Sequence, residues 1–530
     1  MLDSRHVTLG APASMRSGAI VAFIYLGLAA VVLWPLQAAT VPVLMDYPNH
    51  LARAWLMSGD NAASGTNYVV HWLLIPNLAL ELMIPFLGRW MAVEQAGRVF
   101  IAMAMLLPVL GTITLRRALW GRVGLWPLAS FLFVYNAVLQ WGFLNFLFAL
   151  GVAILLFSAW IGSARWAIGW RLLIFAPCAA GLFVLHLFAF GIYGLLVGAY
   201  EIGIWLRRGD WSWRTSGAVM LAGMQFLPAI MLWLLSAGAG GPRYTAYGDL
   251  SDKLYGFSAP MGFGILGPLL GFTCFPLAYL AWRARALRVK ADMAGPILVL
   301  LLVAMAMPNW LMGSWQADIR IPVVFPFILI AASQPAVGRK LSIGITALAM
   351  LVLGARVWAL QASWADTDRQ FSEFRAAARI IPRGVRLLVV QSEQTGTRPV
   401  PGITPLLASH WNAEYIHMPM LAIIDRDAFV PYLFTGWTTI RPAARHDGHW
   451  ISQGMPVTET QLRDALEPEH AQKLEALRGL TSERPYWGDW PKKFDFVLWI
   501  DFGQKPSTLR IPLQLMHAGS FFRLYRVIPP

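Results

Sequence analysis

Long apolar segments separated by short basic loops most constrain the fold of this chain. Runs of roughly 17–22 mostly apolar residues recur between Gly18 and Leu360, and a helix of that length crosses the hydrocarbon core of a bilayer. Hydrophobic residues make up 57% of the chain and charged residues only 13%, whereas soluble domains carry about 25% charged residues. The sequence therefore predicts a polytopic α-helical membrane protein.

The positive charges indicate how the predicted helices are oriented. The formal net charge is +14, but Lys and Arg gather in short loops such as Arg116–Arg122, Arg207–Arg214 and Arg283–Lys290. Basic loops are retained on the cytoplasmic side of a membrane. The charge thus reports topology rather than a nucleic-acid-binding face, and we expect a bacterial inner (cytoplasmic) membrane protein with a cytoplasmic N-terminus and a periplasmic C-terminal domain.

About 11 spans are predicted, in a GT-C-like arrangement discussed below. Their expected positions are 18–36, 97–115, 123–139, 143–161, 171–187, 189–205, 216–236, 261–282, 293–311, 320–336 and 341–360. The apolar run 171–205 is divided near His186 because it is too long for one crossing. Residues 71–90 are apolar but contain Pro76, Glu81 and Pro85, so we expect them to lie in, or re-enter, the outer interface.

The chain is predicted to have two parts. Residues 1–360 form the transmembrane domain, with a first outer loop at 37–96, and residues 361–530 form an extracytoplasmic α/β domain. In the second part, segments 386–390, 494–500 and 521–527 have the composition of buried strands, and residues 458–477 have helical spacing. The two cysteines, Cys178 and Cys274, are too few for a disulfide framework.

The first outer loop carries a carboxylate, an imidazole and a guanidinium within the segment 46–53. These are Asp46, His50 and Arg53. In one interpretation Asp46 is a helix N-cap, followed by Pro48 in the first turn. In the other, Asp46, His50 and Arg53 share a helical face because they lie at i, i+4 and i+7, and that face presents a base, a donor and a cation to one site.

An early acidic residue in the first outer loop, many spans and an outer C-terminal domain resemble the GT-C glycosyltransferases. This family includes the protein mannosyltransferases and the aminoarabinose transferase of lipid A. The resemblance implies that Asp46 is the catalytic base, or a metal ligand, and that His50 takes the place of a polar residue that often follows. Tyr47 stands where many members have a second acid, so no metal or other cofactor is favoured. The Asp-x-Pro-Asn-His-Leu-x-Arg string is also similar to uncharacterised bacterial membrane proteins.

A lipid-linked sugar donor requires a membrane groove, cations for its phosphate and a base for the acceptor hydroxyl. Arginine is favoured for the phosphate because its guanidinium can bind a phosphate through two hydrogen bonds. The alternatives are that Arg243 is a solvated loop residue and that Arg320 pairs with Asp318. The predicted substrate-binding residues are Arg53, Arg243, Tyr244, Tyr247, Lys253, Asp318, Arg320 and His186.

In the C-terminal part, His410, Glu414 and His417 can share a helical face, but nearby prolines and the lack of a strict motif disfavour zinc. The sequence thus favours a glycosyltransferase that moves a sugar from a polyprenyl-phosphate donor to a glycan or lipid acceptor on the periplasmic face. Membrane lipids are expected partners and nucleic acid is not. A transporter or flippase of lipid-linked sugars and a non-catalytic scaffold of a polysaccharide assembly machine are the alternatives.

Overall fold

A computed structural model describes residues 13–58, 67–209, 211–236, 244–264, 267–392, 415–435, 439–451, 454–467, 486–502 and 511–529. In these residues the α-helices are α1 (Ala13–Leu33), α2 (Tyr47–Leu56), α3 (Ala79–Leu87), α4 (Val93–Trp120), α5 (Ala137–Gln140), α6 (Leu144–Gly162), α7 (Ile168–Leu185), α8 (Leu187–Arg208), α9 (Trp213–Met224), α10 (Leu227–Leu235), α11 (Leu250–Ser258), α12 (Gly267–Arg283), α13 (Ala294–Ala306), α14 (Arg320–Ala332), α15 (Arg339–Ala378), α16 (Leu421–Arg426), α17 (Glu459–Asp464) and α18 (Trp490–Lys493). The strands are β1 (Tyr68–Val70), β2 (Leu287–Val289), β3 (Ser333–Pro335), β4 (Leu387–Gln391), β5 (Ile440–Pro442), β6 (Val457–Thr458), β7 (Phe496–Ile500), β8 (Leu513–Ala518) and β9 (Phe522–Val527).

Six helical segments in the described part of the chain are long and apolar enough to cross a membrane. They are Ala19–Gln37, α4, α6, α7, α8 and α15. Shorter apolar helices lie at Val219–Leu235, Ala291–Ala306 and Arg320–Ala332. The membrane class and several helical spans of the sequence prediction are therefore confirmed, but the predicted number of spans is not.

The predicted span at 123–139 is not one helix. The chain there forms a 3-10 helix, Trp126–Phe133, and then the short helix α5, whose first turn is capped by the Asn136 side chain. Arg356 of α15 is buried and donates to the carbonyl oxygens of Leu132, Tyr135 and Met261. Backbone that leaves a helix inside an apolar environment needs such partners, and Arg356 supplies them.

Helix α15 joins the two predicted parts of the chain. It is 40 residues long, about 60 Å at the rise of an α-helix, so it extends well beyond one hydrocarbon thickness. The boundary predicted at 360 falls inside this helix. Near its end, Arg375 binds Asp425 through two hydrogen bonds and Glu94 through a third. The helix thereby fixes the C-terminal domain to the start of α4.

The C-terminal domain contains a five-stranded mixed sheet in the order β6-β4-β7-β9-β8. Strand β4 runs parallel to β6 and β7, whereas β9 runs antiparallel to β7 and β8. Val389 pairs with Leu498, which pairs in turn with Leu524, and all three side chains are buried. The three predicted strands are confirmed. Of the helix predicted at 458–477, α17 forms the first part and ends at Asp464, and residues 468–485 lie outside the described residues.

The segment 37–96, which is predicted to be the first outer loop, packs against the C-terminal domain. Strand β1 pairs antiparallel with β5, with Val69 opposite Arg441. The Tyr68 hydroxyl donates to the Val430 carbonyl at 2.8 Å. Helix α2 packs against α16 and against the 3-10 helix Met418–Met420. Side chains from both ends of the sequence therefore meet around α2.

Candidate active site

Asp46 immediately precedes α2, but its side chain accepts no hydrogen bond from the helix. Its position is fixed by the backbone instead: the Asp46 N–H donates to the Trp141 carbonyl at 3.1 Å. Gly142 follows with φ +81°, and a Cβ there would lie 2.9 Å from the Asp46 nitrogen. The Asp46 backbone is therefore held in place, and its carboxylate is not used as a cap.

The partner of the Asp46 carboxylate comes from the C-terminal domain. His417 Nε2 lies 3.4 Å from Asp46 Oδ1, and the His417 side chain is only 6% exposed whereas that of Asp46 is 17% exposed. On the other edge of the ring, His417 Nδ1 is 3.2 Å from Asn49 Nδ2. Asn49 Oδ1 accepts a hydrogen bond from the Phe434 N–H at 3.0 Å. Asp46, Asn49 and His417 thus form one connected polar group.

A second polar group lies at the other end of α2. Arg53 is buried, and its Nε and Nη2 bind Glu81 Oε1 at 3.2 and 3.1 Å, while its Nη1 donates to the Phe434 carbonyl. Glu81 Oε2 accepts a hydrogen bond from Asn145 Nδ2 at 3.2 Å. Both Glu81 oxygens therefore have donors, and Arg53 is occupied by protein groups.

His50 belongs to this second group. Its Nδ1 is 3.9 Å from Glu81 Oε1, which is too long for a direct hydrogen bond, and its ring packs edge-on against Phe434. Burial raises the pKa of Glu81, but His50 and the Arg53 charge outweigh burial and hold that pKa at about 2. The predicted face of Asp46, His50 and Arg53 is thus divided: Asp46 faces His417, whereas His50 and Arg53 face Glu81.

Arg320 packs against Phe143, next to the residues Trp141 and Gly142 that contact the Asp46 backbone. It is 5% exposed, its Nη1 donates to Ser314 Oγ at 2.8 Å and its Nη2 to the Trp315 carbonyl at 3.3 Å. The guanidinium sits over the rings of Phe143 and Phe188, 4.9 and 4.4 Å from their centroids. Its Nε has no hydrogen-bond partner among the described residues. The positive charge of Arg320 interacts with the Asp46 carboxylate.

Aromatic rings extend from Arg320 to Trp141, whose carbonyl binds the Asp46 N–H, and to Tyr244. The Trp315 ring packs edge-on against Trp141 at 4.9 Å and lies 6.2 Å from Trp310. Trp310 packs in turn against Tyr244 at 5.8 Å. Tyr244 and Tyr247 are largely exposed. Two of the predicted substrate-binding residues therefore lie at an open edge of this aromatic surface.

The remaining predicted residues are placed as follows. Lys253 donates to the Met307 carbonyl. Asp318 is buried and accepts a hydrogen bond from Asn309 at 3.4 Å; burial raises the pKa of Asp318, and the Lys253 charge opposes that rise. His186 caps α8, since its Nδ1 accepts from the Phe188 N–H at 3.1 Å. Arg243 lies outside the described residues.

The described part of the chain contains no group of three His, Cys, Asp or Glu side chains placed to hold a metal ion. His410 and Glu414 lie outside the described residues. Beside Asp46 the nearest nitrogen ligand is His417, whose Nδ1 already faces Asn49. Metal independence stays a prediction.

The sequence did not predict the roles of Asn49 and Glu81 in this region, nor the contact of His417 with Asp46. In the sequence, Glu81 indicates only that residues 71–90 do not form an ordinary span, and His417 is only a weak candidate for a zinc ligand. The signal available for Glu81 was a carboxylate within an apolar run, which needs a buried partner. Nothing in the sequence indicates that His417 reaches α2.

No protein-family model matches the sequence, and no curated protein matches it. Among solved structures, the fold is similar to the crystal structure of ArnT from Cupriavidus metallidurans bound to undecaprenyl phosphate. The similarity has a TM-score of 0.46 and 13% sequence identity, and it covers 96% of this chain and 98% of that chain.

Proposed function

We propose that this protein is a membrane glycosyltransferase that moves a sugar from a polyprenyl-phosphate donor to an acceptor hydroxyl, with Asp46 as the general base. The observation that carries the proposal is the state of the Asp46 carboxylate. It is partly exposed, it does not cap α2, and an imidazole faces one of its oxygens. A carboxylate fixed in this way and still accessible suits proton acceptance from a bound hydroxyl.

The proposed step needs a single carboxylate. Asp46 Oδ1 faces His417, which leaves Oδ2 for the acceptor. As the acceptor oxygen forms a bond to the anomeric carbon of the sugar, its proton passes to Oδ2. The bond between that carbon and the phosphate oxygen breaks, and the lipid phosphate leaves with the electron pair. Since the phosphate is already a good leaving group, no second carboxyl group is required as a general acid.

Arg320 is the proposed phosphate-binding residue. Its buried guanidinium has an Nε without a partner among the described residues, and two aromatic faces exclude water from it. A guanidinium interacts strongly with phosphate in such surroundings. Tyr244 and Tyr247, with exposed rings, are proposed to contact the sugar. Arg53 is no longer proposed as a phosphate ligand, because Glu81 occupies it.

Two experiments test the proposed function. Purified protein in lipid nanodiscs is supplied with radiolabelled polyprenyl-phosphate sugars and with envelope extracts as acceptor, and label that moves from the lipid to an acceptor supports transfer. Mass spectrometry of envelope glycans and lipids from a strain lacking the protein is the second. Loss of one sugar supports transfer, whereas accumulation of a lipid-linked sugar on the cytoplasmic leaflet indicates a flippase and contradicts the proposal.

A further inference from the structure

We propose that His417 is a positioning residue for Asp46, and that through it the C-terminal domain completes the active site. This inference rests on the proposed function, because it assigns His417 a role only if Asp46 accepts a proton. The domain would then contribute to turnover itself rather than only to acceptor binding or stability.

The hydrogen bonds around Asn49 determine which nitrogen of His417 carries the proton. The Phe434 N–H can only donate, so the Asn49 atom that it contacts at 3.0 Å is the carbonyl oxygen. The Asn49 amide nitrogen therefore faces His417 Nδ1 at 3.2 Å. An amide nitrogen donates and does not accept, so Nδ1 must be the acceptor. Neutral His417 consequently carries its proton on Nε2.

The Nε2 nitrogen faces the carboxylate. His417 Nε2 lies 3.4 Å from Asp46 Oδ1, slightly longer than a good hydrogen bond, and such bonds in unliganded active sites commonly shorten when substrate binds. The ring has little freedom to turn away, because it is packed edge-on against Phe434 at 5.0 Å and lies beside Tyr432. Hydrogen bonds connect the Phe434 backbone to Asn49 and Asn49 to His417, and His417 Nε2 lies next to Asp46.

The two carboxylate oxygens of Asp46 therefore have different roles. A donor at Oδ1 fixes the rotation of the Asp46 side chain and leaves Oδ2 toward the acceptor hydroxyl. Displacement of a reacting group by about 1 Å can cost about 10²-fold in rate. Loss of the His417 donor should therefore lower kcat rather than raise the donor KM.

The test compares His417→Leu, which removes the donor, with His417→Gln, whose amide supplies a donor near the Nε2 position and an acceptor toward Asn49. We expect His417→Leu to lower kcat about 10- to 100-fold with the donor KM nearly unchanged, and His417→Gln to restore most of kcat. His446→Leu is the matched control. His446 is a buried histidine of the same domain that contacts Asn67 and stacks on Phe429, so its loss should affect stability and leave kcat of the folded protein unchanged.

A double variant separates this inference from the proposed function. If His417 acts through Asp46, Asp46→Asn combined with His417→Leu should be no slower than Asp46→Asn alone. An inactive Asp46→Asn variant with a fully active His417→Leu variant overturns the role of His417 and leaves the proposed function standing. An active Asp46→Asn variant overturns the proposed function itself.

The tautomer gives a readout that does not depend on activity. The chain has 10 histidines, and ¹⁵N-histidine labelling followed by comparison with the His417→Gln protein identifies the His417 ring signals. In the neutral form of the ring, the proton is expected on Nε2. A ring protonated on Nδ1, or a His417→Gln variant as slow as His417→Leu, contradicts the inference.

Discussion

Asp46 and Glu81 are both carboxylates of the segment 37–96, and they lie near opposite ends of α2 in different surroundings. Glu81 is buried, and its oxygens bind Arg53 and Asn145. Asp46 is 17% exposed and has the His417 imidazole at one oxygen. The fully paired carboxylate stabilises the junction with the C-terminal domain, whereas the partly paired one retains the capacity to accept a proton.

The different surroundings also explain why Asp46, and not Glu81, is suited to accept a proton from a substrate. A buried ion pair with every donor and acceptor filled is costly to break but offers no site to a ligand. Asp46 has instead a positive charge nearby, on Arg320, without being bound by it. Replacing Glu81 by Gln should therefore lower stability, whereas replacing Asp46 by Asn should lower turnover.

The largest expected effect on stability is that of Glu81→Gln. The substitution leaves the buried Arg53 charge without a counter-charge, which typically costs about 3–5 kcal/mol. The matched control is Glu94→Gln, since Arg375 retains Asp425 after that change and a partly exposed pair contributes about 0–1 kcal/mol. Thermal or denaturant unfolding in one detergent measures both. Equal stability losses would contradict the structural role assigned to Glu81.

The stabilising effect of Glu81 should disappear in acid. Its pKa falls from an ordinary 4.5 to about 2 in the folded protein, so the unfolded chain binds the proton first as pH falls. The stability that depends on the charge is complete above pH 4.5 and is lost as pH falls toward about 2. The difference in unfolding midpoint between wild type and Glu81→Gln should shrink across this window. A constant difference would show that the charge is not responsible.

Arg320 should affect donor binding more than chemistry. Removing a charge-assisted hydrogen bond costs about 1.5–3 kcal/mol, so Arg320→Ala is expected to raise the donor KM about 10- to 100-fold. Arg320→Lys keeps the charge but loses the planar donor set and should give a smaller rise. Initial rates at varied donor concentration measure both. If kcat falls while KM stays constant, Arg320 does not bind the ground-state phosphate.

Gly142→Ala should disturb Asp46 through its backbone. Both Gly142, at φ +81°, and Gly121, at φ +69°, adopt a left-handed conformation, but a Cβ at Gly121 meets nothing within 4 Å. Each substitution should cost about 1–2 kcal/mol for the conformation. Only Gly142→Ala also presses on the Asp46 nitrogen, so only this variant should lose turnover. Equal kcat in the two variants would show that this contact is unimportant.

The sequence predicted the parts of the structure that depend on local patterns. Hydropathy identified the long helices such as α4 and α6, and the composition of buried strands identified β4, β7 and β9. It did not predict the broken segment at 123–139, because the carbonyl oxygens freed there are satisfied by Arg356, a residue more than 200 positions away.

The candidate site was only half predictable for the same reason. Asp46 stands out as a carboxylate after the first apolar segment, but its partner His417 joins α2 across 368 residues, through Asn49. The face shared by Asp46, His50 and Arg53 was inferred from helical spacing alone. Spacing gives no information about Glu81, which binds Arg53 and thereby separates the two polar groups.

The most direct test of the account is turnover and stability of Asp46→Asn measured on one preparation. Asn keeps the size of the side chain and removes the charge that accepts the proton. Because Asp46 makes no capping hydrogen bond, the unfolding midpoint should stay close to that of wild type, while kcat should fall about 10²–10⁴-fold. An Asp46→Asn protein that folds normally and transfers sugar at the wild-type rate would contradict the assignment of Asp46 as the general base.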